Sequence, residues 1–155
     1  PTVSKTVMLS STPTGRLEGF RLWALGYRCH QDAKGQSMRD HTKLRAFELA
    51  DQVVMDVYRV TRGFPKDELF GLTSQLRRAA MSIASNVVEG SARSSEADYL
   101  RFLDMSYGSA KEVEYQLSVA DRLGYSNELD PIREKTSETA RVLNALINAI
   151  RRRSS

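Results

Sequence analysis

Three carboxylates and one arginine pair are the residues whose types could support acid–base chemistry. The carboxylates are Glu89, Glu112 and Glu114, and the arginines are Arg77 and Arg78. In such a site the arginines would hold a phosphorylated or acidic substrate while a carboxylate moved a proton. We favour the competing interpretation, in which the carboxylates pair with the arginines inside one subunit or across a subunit contact. A small enzyme using Glu89 and Glu112 with the two arginines is therefore the alternative, and we predict no catalytic residue.

No set of residues in the sequence supports another kind of catalytic site or a metal site. The two histidines, His30 and His41, lie outside the predicted helices, so no serine of the bundle has a histidine to activate it. Cys29 and the two histidines are too few and badly spaced for a zinc site, and no Glu-x-x-His motif occurs. No phosphate-binding glycine-rich loop is present. We predict no metal and no cofactor.

Arginines in three places could contact nucleic acid. The C-terminal run is the clearest of them, since no acidic residue follows it. A basic helix end is also stabilised by the helix dipole without any ligand. No exposed aromatic residues are interleaved with these arginines, which argues against a single-strand stacking surface. The candidate contacts are Arg77, Arg78, Arg93, Arg101, Arg151, Arg152 and Arg153.

The element that must position most of these side chains is a helix over residues 71–93. Its apolar residues recur every three or four positions, as on one face of an α-helix. A second stripe, from Gln75 to Arg93, is polar throughout. The predicted core face consists of Leu72, Leu76, Ala79, Ala80, Ile83 and Val87.

This helix also has apolar residues outside its core face, and two interpretations fit them. It is either a well-buried core helix or a helix that faces its own core on one side and another subunit on the other. The third helix likewise has an apolar residue and a glycine away from its core stripe, and a glycine inside a helix indicates a close approach by another helix. The predicted subunit interface consists of Arg77, Met81, Ala84, Val88, Met105, Gly108 and Glu112.

Three further helices complete the predicted fold. They cover about 42–61, about 95–123, and a segment from the 127–131 turn to about 152. Thr42 and either Ser94 or Ser95 are the expected N-caps, and Gly63 is expected to end the first helix in a left-handed conformation. The first helix should bury a face that includes Tyr58. No segment has a convincing strand pattern. Short connections therefore predict an all-α, antiparallel up-down-up-down four-helix bundle.

The charge distribution separates an N-terminal extension from the domain. Residues 1–37 contain five basic and two acidic residues, and residues 38–155 contain 18 and 17. The domain is therefore nearly neutral. We expect 1–37 to be a poorly structured extension, upstream or vector-derived, with Met38 as the natural start and 38–155 as the bundle. An amphipathic docking helix over 16–28 is the alternative. One cysteine and no membrane-length apolar run predict a cytoplasmic protein.

The order and spacing of these residues carry a resemblance. The pattern GLxxQLRRAAxSIxxNxxEGxxR over 71–93, preceded by Phe64-Pro65 and followed by Arg101-Phe102-Leu103, resembles the bacterial four-helix-bundle proteins encoded in intervening sequences of large-subunit ribosomal RNA genes. The match extends over about 43–150. Ala84 stands where that family usually has proline, and Val88 where it usually has alanine, so a kink at 84 is not expected here.

The resemblance implies properties that the residues alone do not. That family is related to the accessory variability proteins of diversity-generating retroelements. The resemblance implies a ring-shaped homopentamer and, in the retroelement relatives, association with RNA or DNA and a reverse transcriptase. Together with the residues it predicts a non-enzymatic, self-assembling binding or scaffold protein that has no membrane partner.

Overall fold

A short pair of antiparallel strands precedes the helices. The computed structural model describes residues 29–31 and 37–154, where β1 (Cys29–Gln31) pairs with β2 (Ser37–Arg39), Cys29 opposite Arg39. The sequence predicted no strand here, because strands of three residues are too short to show an alternating pattern. The predicted boundary at Met38 falls within β2. The possible helix at 16–28 lies outside the described residues.

Four helices form the rest of the described chain, which confirms the all-α four-helix bundle. They are α1 (Arg45–Val60), α2 (Leu72–Ser91), α3 (Glu96–Arg122) and α4 (Asp130–Ser154). Each helix packs on the next one in sequence, and α4 also packs on α1. The four helices therefore stand at the corners of a square around one core.

Side-chain bonds between neighbouring helices fix their antiparallel directions. Ser109 Oγ of α3 donates to Ser82 Oγ of α2 over 2.9 Å, and Ser106 Oγ donates to the Ile83 carbonyl. Residue numbers therefore rise along α3 as they fall along α2. Arg151 near the end of α4 contacts Asp104 near the start of α3, with 2.8 Å between Nη2 and Oδ2. The start of α3 and the end of α4 thus share one end of the bundle.

Helical periodicity in the sequence also predicts one core stripe each for α3 and α4, and every residue of both predicted stripes is buried. The stripe of α2 is also buried, apart from half-buried Leu72. The first helix differs: Tyr58 is 40% exposed, whereas Ala46, Leu49 and Val53 are buried. The buried stripe of α3 is Tyr99, Phe102, Leu103, Ser106, Ala110, Val113, Leu117 and Ala120, and that of α4 is Ile132, Thr136, Thr139, Leu143, Leu146, Ile147 and Ile150.

The helix ends agree with the prediction in part. Ser95 caps α3, since its hydroxyl accepts from the backbone N–H of Asp98 over 3.0 Å. Thr42 does not cap α1. Instead, its N–H and hydroxyl both donate to Asp40, which caps a 3-10 turn over His41–Lys43 before α1 begins. Hydrogen bonds from Thr42 and Lys43 lower the pKa of Asp40 to about 2.

One glycine was misinterpreted from the sequence, and the close helix contact inside the subunit lies at a glycine that was not predicted to make it. The left-handed glycine of the described chain is Gly124, with φ of 69°, and not Gly63. The close approach inside the protomer is at Gly90, where an added Cβ would lie 2.8 Å from Cβ of Phe102. At Gly108 an added Cβ would meet open space, so no helix of the same subunit requires that glycine.

Candidate interaction surfaces

A groove runs along α2 between the end of α1 and the side of α3. Its volume is about 700 Å³, and we call it the α2 groove. Residues of α1, of the connector before α2, of α2 and of α3 line it. The lining includes Tyr58, Leu69, Phe70, Arg77, Arg78, Met81 and Glu112.

The α2 groove presents large apolar side chains to solvent. Phe70 is 91% exposed, Leu69 is 50% exposed and Met81 is 43% exposed. Contiguous exposed apolar surface of this kind usually marks an interaction site. Met81 was predicted from the sequence as an interface residue, whereas Leu69 and Phe70 were not. An adjacent apolar pair in a connector, outside any helical stripe, was the available signal.

The connector that carries Leu69 and Phe70 is held by Glu68. One carboxylate oxygen of Glu68 accepts from the backbone N–H of Leu72 over 2.8 Å, and the other accepts from the Tyr125 hydroxyl over 2.9 Å. Glu68 thereby satisfies a free N–H in the first turn of α2. The bond from Leu72, followed by that from Tyr125, lowers the pKa of the Glu68 carboxyl. Glu68 therefore holds the connector on both sides of Phe70, and with it this wall of the groove.

Arg77 is engaged with α1 and not with a carboxylate. Its Nε donates to the Thr61 hydroxyl over 2.8 Å, and its guanidinium carbon lies 5.1 Å from the centre of the Tyr58 ring. The ring of Tyr58 is therefore turned toward Arg77 at the groove, and this explains why the residue is not part of the core. Arg78 is exposed and has no acidic partner in the part of the chain that the structure describes.

A pairing of Glu89, Glu112 and Glu114 with arginines across a subunit contact stays a prediction, but inside the subunit none of them pairs with Arg77 or Arg78. Each carboxylate instead binds a residue three or four positions away on or beside its own helix, since such neighbours are already within reach. The observed pairs are Glu89 with Arg93, Glu112 with Gln116, and Glu114 with Lys111.

The two carboxylates of the enzyme alternative do not converge. The Ser82–Ser109 bond places Glu112 alongside residue 79 of α2. Glu89 is ten residues farther along that helix, or about 15 Å at 1.5 Å per residue. A shared acid site needs both groups within reach of one substrate atom. No group of three or more metal-ligating side chains occurs among the residues that the structure describes.

The rest of the predicted interface lies near the groove without lining it. Val88 is 37% exposed and Met105 is 49% exposed, and Gly108 is exposed as well. Ala84 differs from these three, because it is half-buried and packs against the core. Arg77, Met81 and Glu112 thus share the groove, while Val88, Met105 and Gly108 extend an exposed surface beyond it.

The predicted nucleic-acid residues divide between two places. Arg77 and Arg78 line the groove, whereas Arg93 and Arg101 lie at the end of the bundle where α3 begins. Their guanidinium carbons lie 4.7 Å and 5.3 Å from the centre of the Phe102 ring. Phe102 therefore contacts both cations, a role that was not predicted from the sequence.

The C-terminal arginines reach the same end of the bundle. Arg151 forms two hydrogen bonds with the carboxylate of Asp104, so this arginine of the C-terminal run already has an acidic partner on α3. Arg152 is exposed. Arg39 from β2 also comes to this end, where its Nη1 donates to the Arg93 carbonyl over 2.8 Å, and no motif pointed to it. None of the described helices is long and apolar enough to cross a membrane.

Comparison with known proteins identifies the same segment. The profile of the 23S rRNA-intervening sequence protein family matches residues 42–145, about two thirds of the chain. The fold is similar to the crystal structure of a protein of unknown function from the S23 ribosomal protein family of Bacteroides thetaiotaomicron, with a TM-score of 0.62 and 21% identity, over 66% of this chain and 95% of that one. No curated protein matches the chain.

Proposed function

Since the chain belongs to the 23S rRNA-intervening sequence protein family, we propose that it is a non-enzymatic scaffold that assembles with copies of itself. The observation that carries this proposal is the α2 groove, whose apolar side chains Leu69, Phe70 and Met81 are exposed in the single subunit. Burying such side chains against a second subunit would stabilise the assembly by about 25 cal/mol for each Å² of apolar surface removed from water. The connector is already fixed by Glu68, so little ordering would be needed on association.

The proposed assembly is a closed ring. The earlier resemblance implies five subunits, and an odd cyclic ring requires two different faces to meet at each contact. The exposed surface from Arg77 and Met81 to Met105 and Gly108 supplies one such face. Light scattering of the native protein at micromolar concentration tests the proposal. A mass several times 17.4 kDa is expected, and a mass near 17.4 kDa would contradict self-assembly.

Nucleic-acid binding is a second candidate function, favoured by the arginines at the α3 start and the α4 end. Arg101 and Arg152 are exposed, and Arg101 has no carboxylate partner among the described residues. Arginines on a nearly neutral domain bind phosphates weakly to moderately, with an affinity that falls with salt. A ring would repeat this arginine set once in each subunit. As part of this second function, we propose that the chain is related to the retroelement accessory proteins and that a reverse transcriptase is a partner.

A gel-shift series at low salt separates the two candidate functions. The probes are the ribosomal RNA intervening segment and a DNA of the same sequence. Binding that weakens as salt rises supports the second function. No binding of either polymer would leave a scaffold that recognises protein only.

A further inference from the structure

We propose that the α2 groove of one subunit receives the outer face of α1 from a second copy of the chain, with Asp51 and Met55 entering the groove. This inference rests on the proposed self-assembly and names the surface that meets the groove. It follows from the charges of the groove, from the composition of the outer helix faces, and from the position of α1 beside α2.

The groove carries more positive than negative charge. Arg77 and Arg78 line it, and Glu112 is the carboxylate on its opposite wall. The Gln116 side chain donates to Glu112 over 2.9 Å, which occupies part of that carboxylate's bonding capacity. Arg78 is exposed and has no acidic partner within residues 37–153. A face that offers both an apolar side chain and an unpaired carboxylate therefore complements the groove.

The outer face of α1 has this composition. Met55 is 59% exposed, and Asp51 lies one turn earlier on the same exposed side. Glu48 and Arg59 on this face are each engaged in an ion pair within α1. No described basic residue pairs with Asp51, so it is the carboxylate available to Arg78.

The other outer faces complement the groove less well. Tyr115 of α3 and Leu123 just after it are exposed, but exposed Arg122 lies two turns after Tyr115 and directly before Leu123, so its cation would face the groove arginines. Like charges brought together across an interface are destabilising. The described part of α4 exposes no large apolar side chain.

The position of α1 also suits a closed assembly. α1 and α2 are adjacent corners of the bundle, so their outer faces point about 90° apart. When the two faces of a heterologous contact are inclined in this way, successive subunits turn and close into a ring of about four or five members. Faces on opposite sides of a subunit would instead extend a filament.

Charge reversal tests the contact. Asp51→Arg and Arg78→Asp should each raise the concentration at which half of the assembly dissociates by about tenfold or more. The double variant should return that concentration to near the native value, because the pair is restored with opposite polarity. Glu134→Arg, on the exposed side of α4, is the matched control and should leave the assembly unchanged. Circular dichroism confirms that each variant is folded.

Each outcome of this experiment separates the inference from the proposed function. Native protein that is already monomeric overturns the self-assembly on which the inference rests. Native protein that assembles, with single variants that dissociate no more readily than Glu134→Arg, overturns only the α1 contact. If Leu123→Arg dissociates the assembly and Asp51→Arg does not, the second face lies at the end of α3. This result also overturns the α1 contact. Dissociation by both single variants with recovery in the double variant supports it.

Discussion

The guanidinium carbon of Arg39 lies 4.4 Å from the centre of the Tyr99 ring, so the strand pair is joined directly to α3. Arg39 is only 8% exposed, and its Nη1 donates to the Arg93 carbonyl. The part of the chain before α1 therefore contributes one buried side chain to the bundle, just after the boundary predicted at Met38.

A chain that begins at Met38 should keep its helical circular dichroism and melt within about 5 °C of the full chain, since it retains Arg39. Arg39→Ala in the full chain should lower the melting temperature by roughly 4–10 °C, because it removes a cation–π contact and a hydrogen bond worth about 1–3 kcal/mol together. If the chain that begins at Met38 melts more than about 5 °C below the full chain, the residues before Met38 also stabilise the bundle.

Gly90 and Gly108 should respond to alanine in opposite directions. At Gly90 the new Cβ would meet Phe102 at 2.8 Å and Tyr99 Cδ2 at 3.2 Å, so Gly90→Ala should lower the free energy of unfolding by about 1–3 kcal/mol. In the isolated subunit, Gly108→Ala enters open space and should raise it by about 0.5–1 kcal/mol through helix propensity. Urea unfolding of the two variants measures both. Destabilisation by Gly108→Ala in a concentration-dependent manner would place that glycine against another subunit.

Glu68 should make stability depend on acid pH. The backbone bond from Leu72, and then the bond from Tyr125, lower the pKa of Glu68 from its ordinary value of 4.5. A carboxyl whose pKa is lower in the folded state stabilises that state above pH 4.5, and this contribution is lost as pH falls through the folded pKa. Glu68→Gln should therefore melt below the native protein at pH 7, with a difference that shrinks in acid. Glu134→Gln is the control, and an equal difference at every pH would contradict the role of the charge.

Substitutions on the predicted interface should dissociate the assembly without unfolding the subunit. Met81→Glu places a charge on the exposed groove wall, and Gly108→Arg places a large side chain where the single subunit has open space. Both variants should scatter light as species near 17.4 kDa while their helical signal stays native. Assembly that survives both changes would exclude this face as the subunit contact.

Nucleic-acid affinity should respond to the arginines that lie at the end of the bundle. Arg101→Ala or Arg152→Ala should weaken binding to all sequences alike and reduce the salt slope by about one each, as expected when one phosphate contact is lost. Arg151→Ala should change the slope less, because Asp104 already holds that guanidinium. Salt titrations of the three variants measure the slopes. A larger effect of Arg78→Ala would move the site to the α2 groove.

The sequence predicted the features that depend on local periodicity. The core stripes of α3 and α4, the cap at Ser95 and the four-helix order follow from spacing within one segment. The partner of Arg77 and the partner of Arg151 do not, because Thr61 and Asp104 become neighbours only when particular helices meet. Gly90 and Gly108 look alike in sequence for the same reason. The exposure of Phe70 depends on how Glu68 fixes a connector, which no periodic pattern encodes.

The seam between α4 and α1 has a consequence for the nascent chain. α1 meets α2, and α2 meets α3, as soon as each neighbour has been synthesised, so these contacts have short sequence separation and form early. The α1–α4 seam, where Lys135 Nζ lies 2.5 Å from Asp56 Oδ2, joins residues 79 positions apart. Until residues 130–154 leave the ribosome, the core faces of α1 and α3 that α4 covers stay open to water. A three-helix form that lacks α4 would therefore expose apolar core surface, which is the kind of surface that promotes aggregation.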